Sequence, residues 1–129
     1  GYAAAFRAAD LGKKVILIDK DSDLGGVCLN RGCIPSKALL HIAKVIEEAK
    51  ALEKSGVIFA DPTLDLDAIR SWKESLVSKL SKGIGQLAEA RKVQVIQGFA
   101  TFDSPTQFSV KLENGTQSIT FDNCIIGTG

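Results

Sequence analysis

Residues 1–19 read GYAAAFRAADLGKKVILID. Tyr2 to Leu11 is rich in alanine, the strongest helix former, and Gly12 is a natural stop. Val15-Ile16-Leu17-Ile18 is a short continuous apolar run between Lys14 and Asp19, the pattern of a buried parallel strand. Gly1 and Ala5 fall on one helix face, a turn apart, where small side chains allow close helix–strand packing. Asp19 stands at the strand's carboxyl end. Dinucleotide sites use this order: a Gly-rich turn that lets the pyrophosphate approach the backbone, a helix N-terminus that holds it, then an acid about 20 residues on for the ribose. The sequence holds only the downstream half of that fingerprint. Residues 1–19 therefore read equally well as an Ala-rich helix before a strand with a capping Asp.

The remaining sequence extends the same alternation. Leu39, Ile42, Ile46, Ala49 and Leu52 recur at helical spacing and predict a helix over 38–54, ended by Ser55-Gly56. Asp65 or Asp67 is placed to cap a second long helix whose apolar face is Ile69, Trp72, Leu76, Leu80, Ile84 and Leu87. Its other face, rich in Lys and Ser, reads as solvated. Gly83-Ile84-Gly85 lies inside that helical pattern, which favours a kink or close packing over phosphate binding. Val93–Ile96 and Cys124–Ile126 predict further short buried strands parallel to residues 15–18, with Cys124 a small core residue. Between them, residues 99–121 change period. Three mixed or alternating runs are separated by Ser104-Pro105 and Asn114-Gly115, the mark of an antiparallel meander. The expected architecture is an α/β layered domain with an inserted antiparallel β-meander.

The composition narrows the class. The chain has 129 residues, 45% hydrophobic and 24% charged, with a net charge of +1. Those values suit one globular domain and give no electrostatic footprint for nucleic acid. No apolar run approaches the roughly 20 residues of a membrane span. There is no methionine, and the sequence opens inside a helical pattern, which suggests a segment of a longer polypeptide.

Chemistry concentrates in residues 25–37, GGVCLNRGCIPSK. Cys28 and Cys33 are separated by four residues. A disulfide there closes so short a loop that it would contribute only about 2 kcal/mol, little for a structural staple. A zinc site would need more ligands than this pair and the lone His41 supply, so no metal site is expected. A redox pair fits better. Pro35 is tolerated in a first helical turn, which puts Cys33 at or near a helix N-terminus, where the dipole favours a thiolate, and Lys37 adds positive charge. Gly25, Gly26 and Gly32 leave room for a flat ligand against the backbone.

Residues 25–40, GGVCLNRGCIPSKALL, closely resemble the active-site segment of the pyridine nucleotide-disulfide oxidoreductases, and in particular of their dihydrolipoamide dehydrogenase branch. The resemblance runs along the whole chain, from Gly1, Ala5, Gly12 and Asp19 to Gly127-Thr128-Gly129. It implies a partial FAD-binding, Rossmann-like domain over 1–129. The first strand, most of the Gly-rich turn, the NAD-binding domain and the interface domain with its His–Glu base would be missing. It implies that Cys28 is the interchange thiol, alkylating first, and Cys33 the thiol facing the flavin, the two forming a redox disulfide. Gly1, Asp19, Lys20, Gly25, Gly26, Val27, Cys28, Cys33, Lys37, Gly98, Ala100, Thr128 and Gly129 would contact FAD. Many relatives carry Glu where this chain has Asp19. Electrons would pass from dihydrolipoamide, carried by an acyltransferase or carrier protein of a 2-oxo acid dehydrogenase complex, through the disulfide and FAD to NAD+. The whole protein would be a homodimer, cytoplasmic in a bacterium or in the mitochondrial matrix of a eukaryote. The rival enzyme is a mercuric or other flavin disulfide reductase; the non-enzymatic alternative is a redox-responsive binding module.

Overall fold

A computed structural model describes residues 1–129. The chain divides into two compact units, Gly1–Gly26 with Ser81–Gly129, and Val27–Leu80.

The first unit starts with α1 (Tyr2–Asp10), which buries Ala5. The helix ends where glycine permits a left-handed residue: Gly12 has φ 79°, its N–H donates to the Ala9 carbonyl, and Lys13 N–H donates to Ala8. These are the paired bonds of a Schellman cap. β1 (Ile16–Asp19) pairs parallel with β2 (Gln94–Gln97), Ile16 opposite Gln94 and Asp19 opposite Gln97. The chain then forms β3 (Phe99–Ser104), β4 (Gln107–Leu112) and β5 (Gly115–Thr120), antiparallel and adjacent in chain order. Val110 is fully buried and forms a core with Ile96 and Ile119, with Ile16, Ile18, Ala100, Phe108 and Leu112 packed around it. Phe108 stacks on Phe121 at 4.4 Å between centroids and meets the edge of Phe102 at 4.6 Å.

Three expectations for this unit need correction. Leu112 pairs with Gly115, so the β4–β5 loop is Glu113-Asn114 rather than Asn114-Gly115. Neither loop residue has positive φ, whereas Gly115 has φ 118°. The corner is thus a turn with negative φ followed by a left-handed glycine, not the mirror-image turn that Asn-Gly pairs favour. Residues 124–126 form no strand. Cys124 is exposed, as are Ile125 (74%) and Ile126 (69%). A short apolar run becomes a strand only where a neighbour offers ladder bonds, and neither β1 nor β2 pairs with it.

The second unit begins in α2 (Gly26–Asn30) and contains α3 (Cys33–Ala51), a 3₁₀ turn over Leu52–Ser55, and the first part of α4 (Leu66–Ala90). α3 starts five residues earlier than the apolar spacing predicts, because Gly32 serves as its N-cap and Pro35 fits its first turn. Asp65 caps α4: its Oδ1 accepts from the N–H groups of Asp67 (3.0 Å) and Ala68 (2.9 Å). Leu39, Leu40, Val45 and Trp72 are exposed. No helix is long and apolar enough to cross a membrane.

The C-terminal part of α4 belongs to the first unit, and its buried face is Ser81, Ile84 and Ala88 rather than Leu80, Ile84 and Leu87. Ser81 is held inward because its hydroxyl lies 3.0 Å from the Leu24 carbonyl and 3.3 Å from Asp23 Oδ1. Gly83 and Gly85 lie in unbroken helix, with nothing within 4 Å of where a Cβ would stand. Close packing therefore does not explain them. Arg91 ties this end to α1 through Asp10 Oδ1 (3.0 Å), with its guanidinium 5.0 Å from the Phe6 ring centroid.

Candidate active site

Gly25 and Gly26 turn the chain into α2 with φ of 131° and 68°, values that side chains rarely allow. α2 then ends after one turn, Arg31 N–H donating to the Val27 carbonyl at 2.9 Å. Gly32 begins α3, its carbonyl accepting from Ser36 N–H at 3.1 Å. A Cβ on Gly32 would lie 3.0 Å from the Val27 carbonyl oxygen and 3.4 Å from Cys28 Cα. The room left by this glycine is filled by the protein's own backbone, not by a ligand.

That close approach brings Cys28 and Cys33 together. Both are exposed free thiols sharing a side-chain hydrogen bond, and the backbone N–H of Cys33 points at the Cys28 sulfur. The hydrogen bond to Cys33 pushes the Cys28 thiol above the ordinary cysteine range, with lesser contributions from desolvation and from negative charge on Cys33. The Cys33 N–H and the Lys37 ammonium oppose this. Both sulfurs are open to attack from outside, and Cys28 holds its proton more tightly than an isolated thiol. Lys37 is one turn beyond Cys33 on α3, exposed, and near enough for its charge to act on Cys28.

In the other unit, Gly1 is the N-cap of α1, with no atom within 4 Å of a Cβ placed there. Gly127 comes to meet it: a Cβ on Gly127 would stand 3.0 Å from the Gly1 nitrogen. Thr128 and Gly129, both exposed, therefore follow directly from the start of α1. Asp19 is half-buried at the carboxyl end of β1, and its Oδ1 accepts from Asp21 N–H at 3.1 Å, which fixes the turn that follows. Lys20 is exposed, and its carbonyl accepts from Gln97 Nε2 at 3.5 Å. A helix N-terminus and an oriented carboxylate at a strand end suit a dinucleotide.

Gly98 is tied into the sheet. Its N–H donates to the Asp19 carbonyl at 2.8 Å and so is not available to a cofactor. A Cβ there would come within 2.7 Å of the Lys111 carbonyl and of Val110 Cγ1, so its bareness answers to β4. Ala100 is half-buried in β3 opposite Val110, a core position. Ser81 and Arg91, which fasten α4 to the loop after β1 and to α1, escaped the sequence reading because each looks like an ordinary surface residue.

All of residues 1–129 match the pyridine nucleotide-disulphide oxidoreductase family. The chain belongs to that family. It is 51% identical over 129 residues to a dihydrolipoyl dehydrogenase of Vibrio cholerae and 52% identical over 130 residues to one of Haemophilus influenzae. A dihydrolipoyl dehydrogenase of Bacillus subtilis is 45% identical over 129 residues. Each match covers all of this chain but 27% of the relative, so the chain spans about a quarter of the length of these oxidoreductases.

Proposed function

We propose that the chain is the FAD-binding, dithiol-bearing part of a dihydrolipoyl dehydrogenase. The observation that carries this reading is the contact of Cys28 with Cys33 at the start of α3, in a chain about half identical to enzymes of that name. The parallel β1–β2 pair and the antiparallel β3–β5 sheet support a Rossmann-like layered domain with an inserted meander. Gly1, Asp19, Lys20, Thr128 and Gly129 are the residues that would hold the nucleotide end of FAD, with Gly25, Gly26, Val27 and Lys37 on the stretch that carries the cysteines.

The chemistry of the pair follows. With Cys28 and Cys33 joined, one thiolate of dihydrolipoamide attacks the sulfur of Cys28, forming a mixed disulfide and releasing Cys33 as a thiolate. The second lipoyl thiolate then displaces Cys28, so lipoamide leaves as a disulfide and the enzyme keeps two thiols and two electrons. The exposure of Cys28 suits this attack. Bound FAD supplies the two-electron relay from the dithiol to NAD+. The carrier of the lipoyl group would belong to a 2-oxo acid dehydrogenase complex, and the whole protein would be a homodimer in the cytoplasm or the mitochondrial matrix.

The full-length protein tests this. It should purify yellow, release FAD on denaturation, and reduce NAD+ with dihydrolipoamide. Cys28→Ser and Cys33→Ser should each lose that turnover, while Cys124→Ser keeps it. A colourless protein that takes up no FAD, or near-normal turnover by Cys28→Ser, would refute the reading.

A further inference from the structure

We propose that Gly32 is a positioning residue for the dithiol: its missing side chain lets the start of α3 lie against Val27 and Cys28, so that Cys28 and Cys33 can close into a disulfide. This rests on the reading of the two cysteines as a redox pair. The steric fact is specific to this glycine. A Cβ at position 32 would stand 3.0 Å from a backbone carbonyl oxygen, 3.4 Å from Cys28 Cα and 3.6 Å from the Val27 carbonyl carbon. All three atoms are backbone, which cannot swing aside as the end of a flexible side chain does. The Val27 carbonyl is further held by the Arg31 N–H at 2.9 Å. Position 32 also adjoins Cys33, so any retreat of the chain there carries Cys33 away from Cys28.

The two redox states differ in what they tolerate. Two thiols keep a hydrogen bond over a range of separations, whereas a disulfide requires Cα atoms about 4.4–6.8 Å apart and a short fixed bond. A methyl at position 32 therefore penalises the oxidised form more than the reduced one. Forming the bond converts two thiols to one S–S bond and gives up two protons and two electrons. In a glutathione buffer these pass to glutathione disulfide, which becomes two glutathione molecules.

The experiment equilibrates the full-length holoenzyme anaerobically with glutathione buffers, quenches it in acid, and reads the Cys28–Cys33 state by alkylation and mass. Gly32→Ala should move the midpoint at least tenfold toward the dithiol, about 30 mV for a two-electron couple. Gly83→Ala, where the new Cβ meets nothing, should stay within twofold of the wild type. A Gly32→Ala midpoint within twofold of wild type overturns the inference. So does a Gly32→Ala protein that fails to fold in both redox states, since Gly32 would then serve the fold rather than closure. A wild type with no dithiol–disulfide transition is a different result, because it removes the redox reading itself.

Discussion

Gly98 is bare because its neighbours leave no room for a side chain. With its N–H spent on Asp19 and a Cβ excluded at 2.7 Å by the Lys111 carbonyl and Val110, it fastens the end of β1 to β4. Gly98→Ala should cost about 1–3 kcal/mol, the usual range for overpacking. Thermal melting of the full-length protein checks this, and an unchanged melting temperature would mean the backbone can yield. Cys28 makes a second test. Because the hydrogen bond to Cys33 raises its thiol, the reactive thiolate forms only at higher pH than for a free cysteine. In the reduced protein, Cys33→Ala should shift the Cys28 alkylation profile to lower pH, and Lys37→Ala should shift it upward. A Cys28 profile unmoved by Cys33→Ala would show that the hydrogen bond is not the cause. The pairing of these cysteines was legible in their spacing and in the proline that follows. The role of Gly32 was not, because sequence shows that a side chain is missing but not which atom takes its place.

Helix ends and helix faces differed in how well they could be read. Gly12 and Asp65 announce their caps by residue type, and each does what its chemistry suggests. The end of α4 does not announce itself. Lys92 sits left-handed at φ 57°, with Lys92 N–H donating to Glu89 and Val93 N–H to Ala88, the same cap that Gly12 makes for α1. A lysine there pays a steric penalty that glycine avoids, so Lys92→Gly should stabilise the protein by about 1 kcal/mol, read as a higher melting temperature. A lower one would show that the Lys92 side chain contributes more than its backbone strain costs. The buried face of α4 was missed for a related reason. Apolar periodicity points to Leu80 and Leu87, but the two acceptors above Ser81 turn the helix by about one residue. Ser81→Ala should cost about 1 kcal/mol by leaving the Leu24 carbonyl without this partner. No loss of stability would assign the rotation to Ile84 and Ala88 packing alone.

Across the whole molecule, the alternation of helix and strand could be read because short apolar runs and Ala-rich or amphipathic stretches have different periods. The exception is instructive: Cys124-Ile125-Ile126 has the composition of a strand, yet strand formation depends on a neighbour that composition cannot reveal. The functional proposal depends on one property of the full-length protein, that Cys28 and Cys33 store an electron pair in exchange with a bound flavin. An anaerobic reductive titration counts those electrons directly. The wild-type holoenzyme should take up four electrons per FAD, two in the flavin and two in the dithiol, and Cys33→Ser only two. A wild type that is fully reduced by two electrons per FAD would contradict the assignment of this pair as the redox centre.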